Sequence, residues 1–219
     1  MFTGIVQGLV PVTRIEEGGD LNRIALDMGE LAQGIQLGAS VAVNGTCLTA
    51  TQASDDGTVS FDIITETLRT TNLGSLQVGS MVNVERSFKV GDEVGGHIVS
   101  GHVTGIGVLC GLHNEGNDRV LTFSVSEPWL RFILHKGFVG VDGASITVSN
   151  VNRQESTFSI SLIPETIERT TLGRLALGES VNIEVDSQTQ TIVETIERVM
   201  QDPQMRQTLI AQSQSGADA

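Results

Sequence analysis

Apolar and polar residues alternate in short stretches along most of this chain, and two stretches contain a tight-turn dipeptide. One reads VAVNGTCLT and the other VGVDGASIT. Asn-Gly and Asp-Gly between alternating residues predict two-residue β-hairpin turns, because both dipeptides tolerate positive φ. Since side chains alternate along a strand, Leu48 and Ile146 should enter a core while Cys47 and Ser145 face outward. The outward face could meet a ligand or another subunit, but two ordinary hairpins with small polar residues outside would show the same pattern.

The hairpin pattern is part of an internal duplication. Residues 2–8 align with 99–105, and 60–85 aligns with 159–184 with 12 identities in 26 positions, whereas unrelated segments match at roughly one position in fifteen. Each copy of about one hundred residues predicts short strands separated by turns, which favours a small antiparallel barrel or sandwich. In the first copy the predicted strands are 2–14, 22–28, 40–43, 46–53, 58–63 and 81–86.

Short helical segments interrupt the strands, and one longer helix follows both copies. A single turn is predicted at 66–70 and again at 164–169, and a short helix at 127–133 should half-bury Trp129, the sole tryptophan. After Asp186 an apolar stripe with helical spacing appears, formed by Ile192, Val193, Ile196, Val199 and Met200. This helix could pack on its own barrels, but self-association is favoured because no third domain exists to receive it. The predicted units are 1–97, 98–186 and 187–219, the last a helix with a flexible tail.

Composition and charge restrict the classes of partner. A chain of 219 residues with a net charge of -13 argues against nucleic acid and anionic membranes, whose phosphates need Lys and Arg. The N-terminus has neither the basic nor the apolar region of a signal peptide, and no apolar run is long enough to span a bilayer. Cys47 and Cys110 are too few for a disulfide framework, so we expect a cytoplasmic protein.

Positions at which the two copies differ are the candidate catalytic residues. Cys47 is the best nucleophile, His102 could shuttle a proton, and Asp186 could orient or activate His102. Lys136 could stabilise a developing anion. In the alignment Cys47 faces Ser145, His102 faces Ile5, Lys136 faces Gly38, Asp186 faces Ser87 and Ser40 faces Phe138. Taken singly, each also has an ordinary explanation: a small buried thiol, a surface histidine, a solvated lysine and a helix N-cap.

No metal site is expected. His97 and His102 are five residues apart, which would put them on opposite faces of a strand, and no acidic or cysteine partner stands at metal-ligand spacing. The glycine-rich segment 105–111 lacks dinucleotide-binding spacing and its βαβ context.

Six motifs, in the same order, resemble the riboflavin synthase family of the alpha-chain type, and the resemblance covers about residues 1 to 200. They are MFTGIV (1–6), VNGTCLT (43–49), ETLR (66–69), GGHIVSGH (95–102), VDGASIT (141–147) and LIPET (162–166). The resemblance implies an all-β fold of two tandem six-stranded Greek-key barrels plus a C-terminal helix, assembled as a homotrimer through those helices.

The resemblance also implies a reaction. The family transfers a four-carbon unit between two molecules of 6,7-dimethyl-8-ribityllumazine, giving riboflavin and 5-amino-6-ribitylaminouracil without metal or redox cofactor. His102 would take or relay a proton from the C7 methyl group of one lumazine. Cys47, Ser145 or an activated water would add to C7 of the other, and which group attacks first stays open.

Substrate-binding residues are implied for both barrels, with each site formed between the N-terminal barrel of one subunit and the C-terminal barrel of its neighbour. The N-terminal site would be lined by Ser40, Cys47, Leu48, Thr49, Asp62, Ile63, Ile64, Thr65, Glu66 and Thr67. The C-terminal site would be lined by Gly4, Ile5, Val6, Gly101, His102, Val103, Ser145, Ile146, Thr147, Ser161, Leu162, Ile163, Pro164, Glu165 and Thr166, with Lys136 reaching across the subunit boundary.

Two other functions remain. Non-catalytic lumazine- and flavin-binding fluorescent antenna proteins resemble this chain in fold and in the opening motif, but they lack the reactive cysteine and the Gly-His-x-x-Ser-Gly-His pattern. A purely structural duplicated barrel would explain neither the asymmetric positions nor the motif order.

Overall fold

A computed structural model of the chain, which describes residues 1–18, 21–115 and 118–207, contains two closed six-stranded antiparallel barrels. The first is built from β1 (Gly8–Glu16), β2 (Leu21–Asp27), β3 (Ser40–Val43), β4 (Thr46–Ala53), β5 (Thr58–Ile64) and β6 (Met81–Arg86). The second is built from β7 (Gly105–Glu115), β8 (Asp118–Ser124), β9 (Phe138–Val141), β10 (Ala144–Asn152), β11 (Thr157–Leu162) and β12 (Ser180–Val185). The strands of the first barrel are ordered β1-β2-β5-β4-β3-β6, and those of the second follow the same order. The predicted all-β duplicated fold is confirmed.

Both predicted hairpins are present, joining β3 to β4 and β9 to β10. Asn44 and Gly45 have φ of 44° and 76°, and Asp142 and Gly143 have φ of 45° and 82°. These left-handed values are the reason why Asn-Gly and Asp-Gly stand at the two turns.

The first strand differs from its prediction. Residues 2–7 do not join β1; Phe2 makes only an isolated bridge to Val99. The chain turns at Gly4, whose φ is 74°, so the β-forming residues 2–6 do not make a continuous strand. The prediction failed because hydrogen bonds from Thr3 and Gly4 to the carboxylate of Glu85 on β6, described below, determine the course of this segment.

The helices lie close to their predicted positions. They are α1 (Thr65–Thr70), α2 (Glu127–Leu130), α3 (Pro164–Arg169) and α4 (Ser187–Gln201). Trp129 on α2 is partly buried against the C-terminal core, as predicted. Residues 203–207 form a further helical turn, and the rest of the predicted flexible tail, 208–219, lies outside the described residues.

Each barrel has its own apolar interior. Phe61 and Ile63 are fully buried in the first, and Phe123 packs on Phe158 in the second with ring centroids 5.6 Å apart. The hairpin strands contribute Leu48 and the other inward residues of the alternating pattern. Burial of one face therefore determines which face of each hairpin carries the polar groups.

The two barrels meet through a buried polar network with twofold pseudosymmetry. Asn83 Nδ2 donates to the carbonyl of Asp142 at 2.9 Å, and Asn182 Nδ2 donates to the carbonyl of Asn44 at 2.8 Å. The two hairpin turns touch, since a Cβ on Gly45 would lie 2.6 Å from the amide nitrogen of Gly143. A network of this kind fixes the orientation of the barrels because every buried polar group needs its partner.

The predicted division of the chain at residues 97 and 98 falls in the connection between β6 and β7. Phe2, Ala42 and Val99 form a small apolar cluster of their own between the barrels, so the connection is itself packed. The division 1–97, 98–186 and 187–219 stays a prediction.

No helix in the described part of the chain combines the length and the apolar character needed to cross a lipid bilayer.

Candidate active site

Two buried glutamates hold the segment that precedes each barrel. Glu85 accepts hydrogen bonds from the amide and hydroxyl of Thr3 at 2.6 and 2.7 Å and from the amide of Gly4 at 3.0 Å. Glu184 accepts the matching set from Ser100 and Gly101 at 2.7, 2.7 and 3.0 Å. Burial raises the pKa of both carboxyls, and these hydrogen bonds oppose that rise. The two clasps are equivalent in the two repeats.

Each clasped segment then contacts the hairpin of the other barrel. The Gly4 carbonyl accepts from the Ser145 amide at 2.8 Å, and the Gly101 carbonyl accepts from the Cys47 amide at 2.9 Å. A Cβ on Gly4 would lie 2.5 Å from Cβ of Ser145, and a Cβ on Gly101 would lie 2.5 Å from Cβ of Cys47. Glycine is therefore required at both places, and both candidate nucleophiles lie beside a crossing segment.

The N-terminal hairpin presents a row of polar groups outward. Cys47 is half-buried, and Thr49 is exposed opposite Ser40 on β3. Asp62 on β5 forms an ion pair with Arg23, with Nε to Oδ1 at 2.6 Å and Nη2 to Oδ2 at 3.1 Å. The predicted residues of this site are thus split between outward groups and the core residues Leu48 and Ile63.

A histidine in the connection between β6 and β7, which the sequence analysis did not assign to the site, lies against the C-terminal hairpin. His97 Nδ1 lies 2.6 Å from Oγ of Ser145, and the imidazole stacks on Phe138 with centroids 5.2 Å apart and planes 14° apart. Residues 97–102 do not form a strand, so the expectation that His97 and His102 occupy opposite strand faces was wrong. The available sequence signal was the Gly-Gly pair before His97, which indicates a close approach of the backbone to another segment. In the structure that segment is the hairpin, because a Cβ on Gly96 would lie 2.6 Å from Cβ of Ser145.

Burial controls the charge of His97. The side chain is 9% exposed, and its desolvation lowers the pKa, while the negative charge of Asp186 acts in the opposite direction. Its Nε2 is buried without a protein partner. A neutral imidazole in contact with a serine hydroxyl can accept the serine proton.

Asp186 does not take the predicted position beside His102. It caps α4, where Oδ2 accepts from the amide and hydroxyl of Thr189 at 2.9 and 2.6 Å. Burial raises the pKa of Asp186, but these hydrogen bonds and the nearby His97 outweigh that effect and lower it overall. Asp186 is therefore the helix N-cap that the sequence analysis gave as its ordinary explanation. Its electrostatic partner is His97 and not the exposed His102.

His102 and Lys136 are exposed. The His102 amide donates to the Ser100 hydroxyl at 3.1 Å, which leaves the imidazole at the surface next to Gly101. Lys136 lies in the turn before β9 with φ of 63°, and its amide donates to the Val148 carbonyl at 2.9 Å. Both side chains are available to a ligand or to a second subunit.

The remaining predicted substrate-binding residues divide by exposure. Those with exposed side chains are Ile5, Ile64, Thr65, Glu66, Thr147, Ser161, Ile163, Pro164 and Glu165, while Thr67, Val103 and Thr166 are half-buried and Val6, Ile146 and Leu162 are buried. Val6 packs in the core of the C-terminal barrel. Most exposed members lie at the β5–α1 junction (64–66) and at the β11–α3 junction (163–165).

Comparison with known proteins places the chain in a class and then in a family. The Lumazine binding domain family matches residues 3–87 and 100–186, so fold and site define a protein with two lumazine-binding domains. Riboflavin synthase of Escherichia coli (strain K12) is 47% identical over 202 residues, covering 91% of this chain and 93% of that protein. Riboflavin synthase of Mycobacterium bovis is 39% identical over 201 residues, covering 91% and 98%. The chain belongs to the riboflavin synthase family.

Solved structures of LumP have the same fold as this chain. The crystal structure of LumP complexed with riboflavin superposes with a TM-score of 0.77 at 26% identity, covering 85% of this chain and 100% of that chain. LumP complexed with 6,7-dimethyl-8-(1'-D-ribityl) lumazine gives a TM-score of 0.75 at the same identity. The riboflavin synthases are therefore much closer in sequence than LumP is.

Proposed function

We propose that the chain catalyses the transfer of a four-carbon unit between two molecules of 6,7-dimethyl-8-ribityllumazine, giving riboflavin and 5-amino-6-ribitylaminouracil. The observation that carries this is the identity of 39–47% to riboflavin synthases over at least nine-tenths of both chains. The chain is accordingly an enzyme, a transferase. The two products together contain the atoms of the two substrates, so no oxidant or reductant is consumed.

The reaction needs unlike groups around two like substrates. One lumazine must lose a proton from its C7 methyl group and accept four carbons, while the other is attacked at C7 by a nucleophile and gives them up. The N-terminal face offers the thiol of Cys47 and the hydroxyls of Ser40 and Thr49. The C-terminal face offers Ser145 with its histidine partner His97. This difference between two otherwise equivalent barrels supports assigning donor and acceptor roles to different barrels.

Within the C-terminal face, Ser145 is the group best prepared to act. His97 accepts its proton as Oγ adds to C7, and the negative charge of Asp186 stabilises the resulting imidazolium. His102 and Lys136, both exposed, act on the second ring from the rim of the site. Backbone amides of the crossing segments donate hydrogen bonds to Glu85 and Glu184. These bonds keep the segments rigid beside the substrate.

We also propose that the site is completed by a second subunit in a homotrimer. Ile192, Ile196 and Met200 on α4 are 59%, 57% and 58% exposed, while Val193 packs against the C-terminal barrel. Val193 and an ion pair between Glu197 and Arg131, with Oε2 to Nε at 3.7 Å, attach the helix to the C-terminal barrel. The exposed apolar stripe is left uncovered, which suits association between copies. Free thiols at Cys47 and Cys110 fit a cytoplasmic enzyme.

Turnover of the purified protein tests the proposed function. Incubation with 6,7-dimethyl-8-ribityllumazine alone is expected to produce riboflavin fluorescence equal to half the lumazine consumed. The Ser145→Ala variant serves as the matched control. It removes only one hydroxyl group and should form riboflavin much more slowly. A wild-type protein that binds the lumazine without forming riboflavin would instead be a carrier like LumP.

Charge placed on the α4 stripe tests the trimer. Ile192→Asp combined with Ile196→Asp is expected to dissociate the assembly, because carboxylates cannot be buried unpaired in an apolar interface. Thr191→Asp combined with Thr195→Asp adds the same charge to the same helix away from the stripe and should leave the assembly intact. Sedimentation velocity measures both, and an undisturbed trimer in the first variant argues against the stripe as the interface.

A further inference from the structure

The C-terminal hairpin carries one large aromatic residue on the face that bears its polar groups. Phe138 lies opposite Thr147 in the β9–β10 ladder, and Gly140 lies opposite Ser145, so these four positions share one face of the sheet. Phe138 is 47% exposed, whereas the corresponding residue of the first repeat, Ser40, is polar. An aromatic ring that keeps nearly half of its surface in water gains little from burial, so its position needs another explanation.

The explanation is its contact with His97. The imidazole stacks on the Phe138 ring with centroids 5.2 Å apart and planes 14° apart, and Nδ1 lies 2.6 Å from Oγ of Ser145. Phe138 and Ser145 are diagonal neighbours in the ladder, a spacing that an aromatic side chain can span. His97 therefore contacts one position with its face and the other with its Nδ1 edge.

The second nitrogen of His97 does not orient the ring. In the described part of the chain, Nε2 is buried without a protein partner. Asp186, whose charge acts on His97, uses its Oδ2 to accept hydrogen bonds from the amide and hydroxyl of Thr189. A histidine that activates a serine is usually oriented by a third group that binds its other nitrogen. Here the aromatic face is the contact that constrains the plane of the imidazole.

We propose that Phe138 is a positioning residue of the C-terminal site, whose ring holds the His97 imidazole in the plane that directs Nδ1 to the Ser145 hydroxyl. The inference rests on the proposed function, because it takes His97 and Ser145 as reacting groups. The lone pair of Nδ1 lies in the plane of the imidazole, so the hydrogen bond to Oγ weakens steeply when the ring tilts. Stacking opposes that tilt.

Two substitutions at position 138 test the role of the aromatic face. Phe138→Leu keeps an apolar side chain but removes the ring, and kcat for riboflavin formation should fall about ten-fold, the upper end of what an aromatic pair contributes. KM should change little, because the residue acts through His97 and not on the substrate. Phe138→Tyr keeps the ring and should retain the wild-type kcat. Leu177→Ala, which truncates a residue that is 64% exposed in the turn before β12, should change neither constant.

The His97→Ala background separates this role from a structural one. There Phe138→Leu should cause no further loss of kcat, because the ring that it positions is gone. Nitrogen-15 spectra of the protein labelled at its four histidines give an independent signal, with His97 assigned by its absence in His97→Ala. The wild type should show an unprotonated Nδ1 and a protonated Nε2. Phe138→Leu should show the mixture of both tautomers that a histidine without this hydrogen bond adopts.

Four results overturn the proposal. They are an unchanged kcat in Phe138→Leu, an equal loss when Phe138→Leu is added to His97→Ala, a loss of the same size in Phe138→Tyr, and a loss that accompanies dissociation in sedimentation velocity. Failure of the proposed function is a separate outcome, recognised by a wild type that forms no riboflavin. The histidine spectra then still decide whether the Phe138 ring holds His97 against Ser145.

Discussion

His97→Ala is expected to lower kcat about 100-fold, the effect typical of losing a positioned general base, with a much smaller change in KM. In the wild type, Nδ1 of His97 lies 2.6 Å from the Ser145 hydroxyl and can accept its proton. The variant removes this base. Ser145→Ala should cause a similar loss. Because the two side chains act as a unit, the double variant should be no slower than either single variant.

The pH dependence of kcat provides a second measurement. Burial lowers the pKa of His97, and the neutral imidazole is the form that accepts a proton. Activity should therefore persist through neutral pH and fall only as the pH drops through this lowered pKa, and His97→Ala should abolish that acid limb. His113→Ala replaces an exposed histidine on β7 and should leave the profile unchanged. An acid limb that survives in His97→Ala but disappears in His102→Ala would transfer the role of base to His102.

Asp142→Asn is expected to stabilise the protein at pH 8 and to flatten its pH dependence. Burial raises the pKa of Asp142 from 3.8 to about 7, although hydrogen bonds from Asn182, Asn72 and Thr171 oppose the rise. The folded state therefore holds more protons than the unfolded state between about pH 4 and 7. Stability contributed by this group is complete below the unfolded pKa, decreases as pH rises, and is constant again above about pH 7.

The pKa of Asp142 gives the size of the expected effect, and the network between the barrels explains the choice of asparagine. Each unit of pKa difference corresponds to about 1.4 kcal/mol, so Asp142 costs about 4 kcal/mol at pH 8. Asn44 occupies the equivalent place in the first repeat, where Oδ1 accepts from the Asn83 amide at 2.8 Å. An asparagine at 142 can make the matching bond to the Asn182 amide, now made by Asp142 at 2.7 Å, without a charge.

Urea unfolding at several pH values, at one fixed protein concentration, checks this prediction. The difference between Asp142→Asn and wild type should grow from pH 5 to pH 8. Asp55→Asn, on the exposed turn between β4 and β5, is the control and should show no such trend. A difference that stays constant with pH would mean that Asp142 is ionised in the folded protein throughout.

Much of the fold was predictable because its signals are local. Turn dipeptides and alternation placed β3, β4 and β6 at the bounds that the structure has, and internal identity showed that a second barrel repeats the first. The predicted start of the first strand was wrong because it relied on local signals alone. Residues 2–6 are rich in β-forming side chains, but hydrogen bonds to Glu85, 82 positions away from Thr3, decide their course.

The sequence by itself determined the duplicated barrel, the polar outward faces of the hairpins and the family, since each depends on residue order within a few dozen positions. Only the tertiary structure decided which side chains meet. His97 and Ser145 are 48 positions apart, Arg23 and Asp62 are 39 apart, and the polar network joins opposite barrels. Such contacts depend on strand register and barrel closure, which bring together residues that no periodicity along the chain connects.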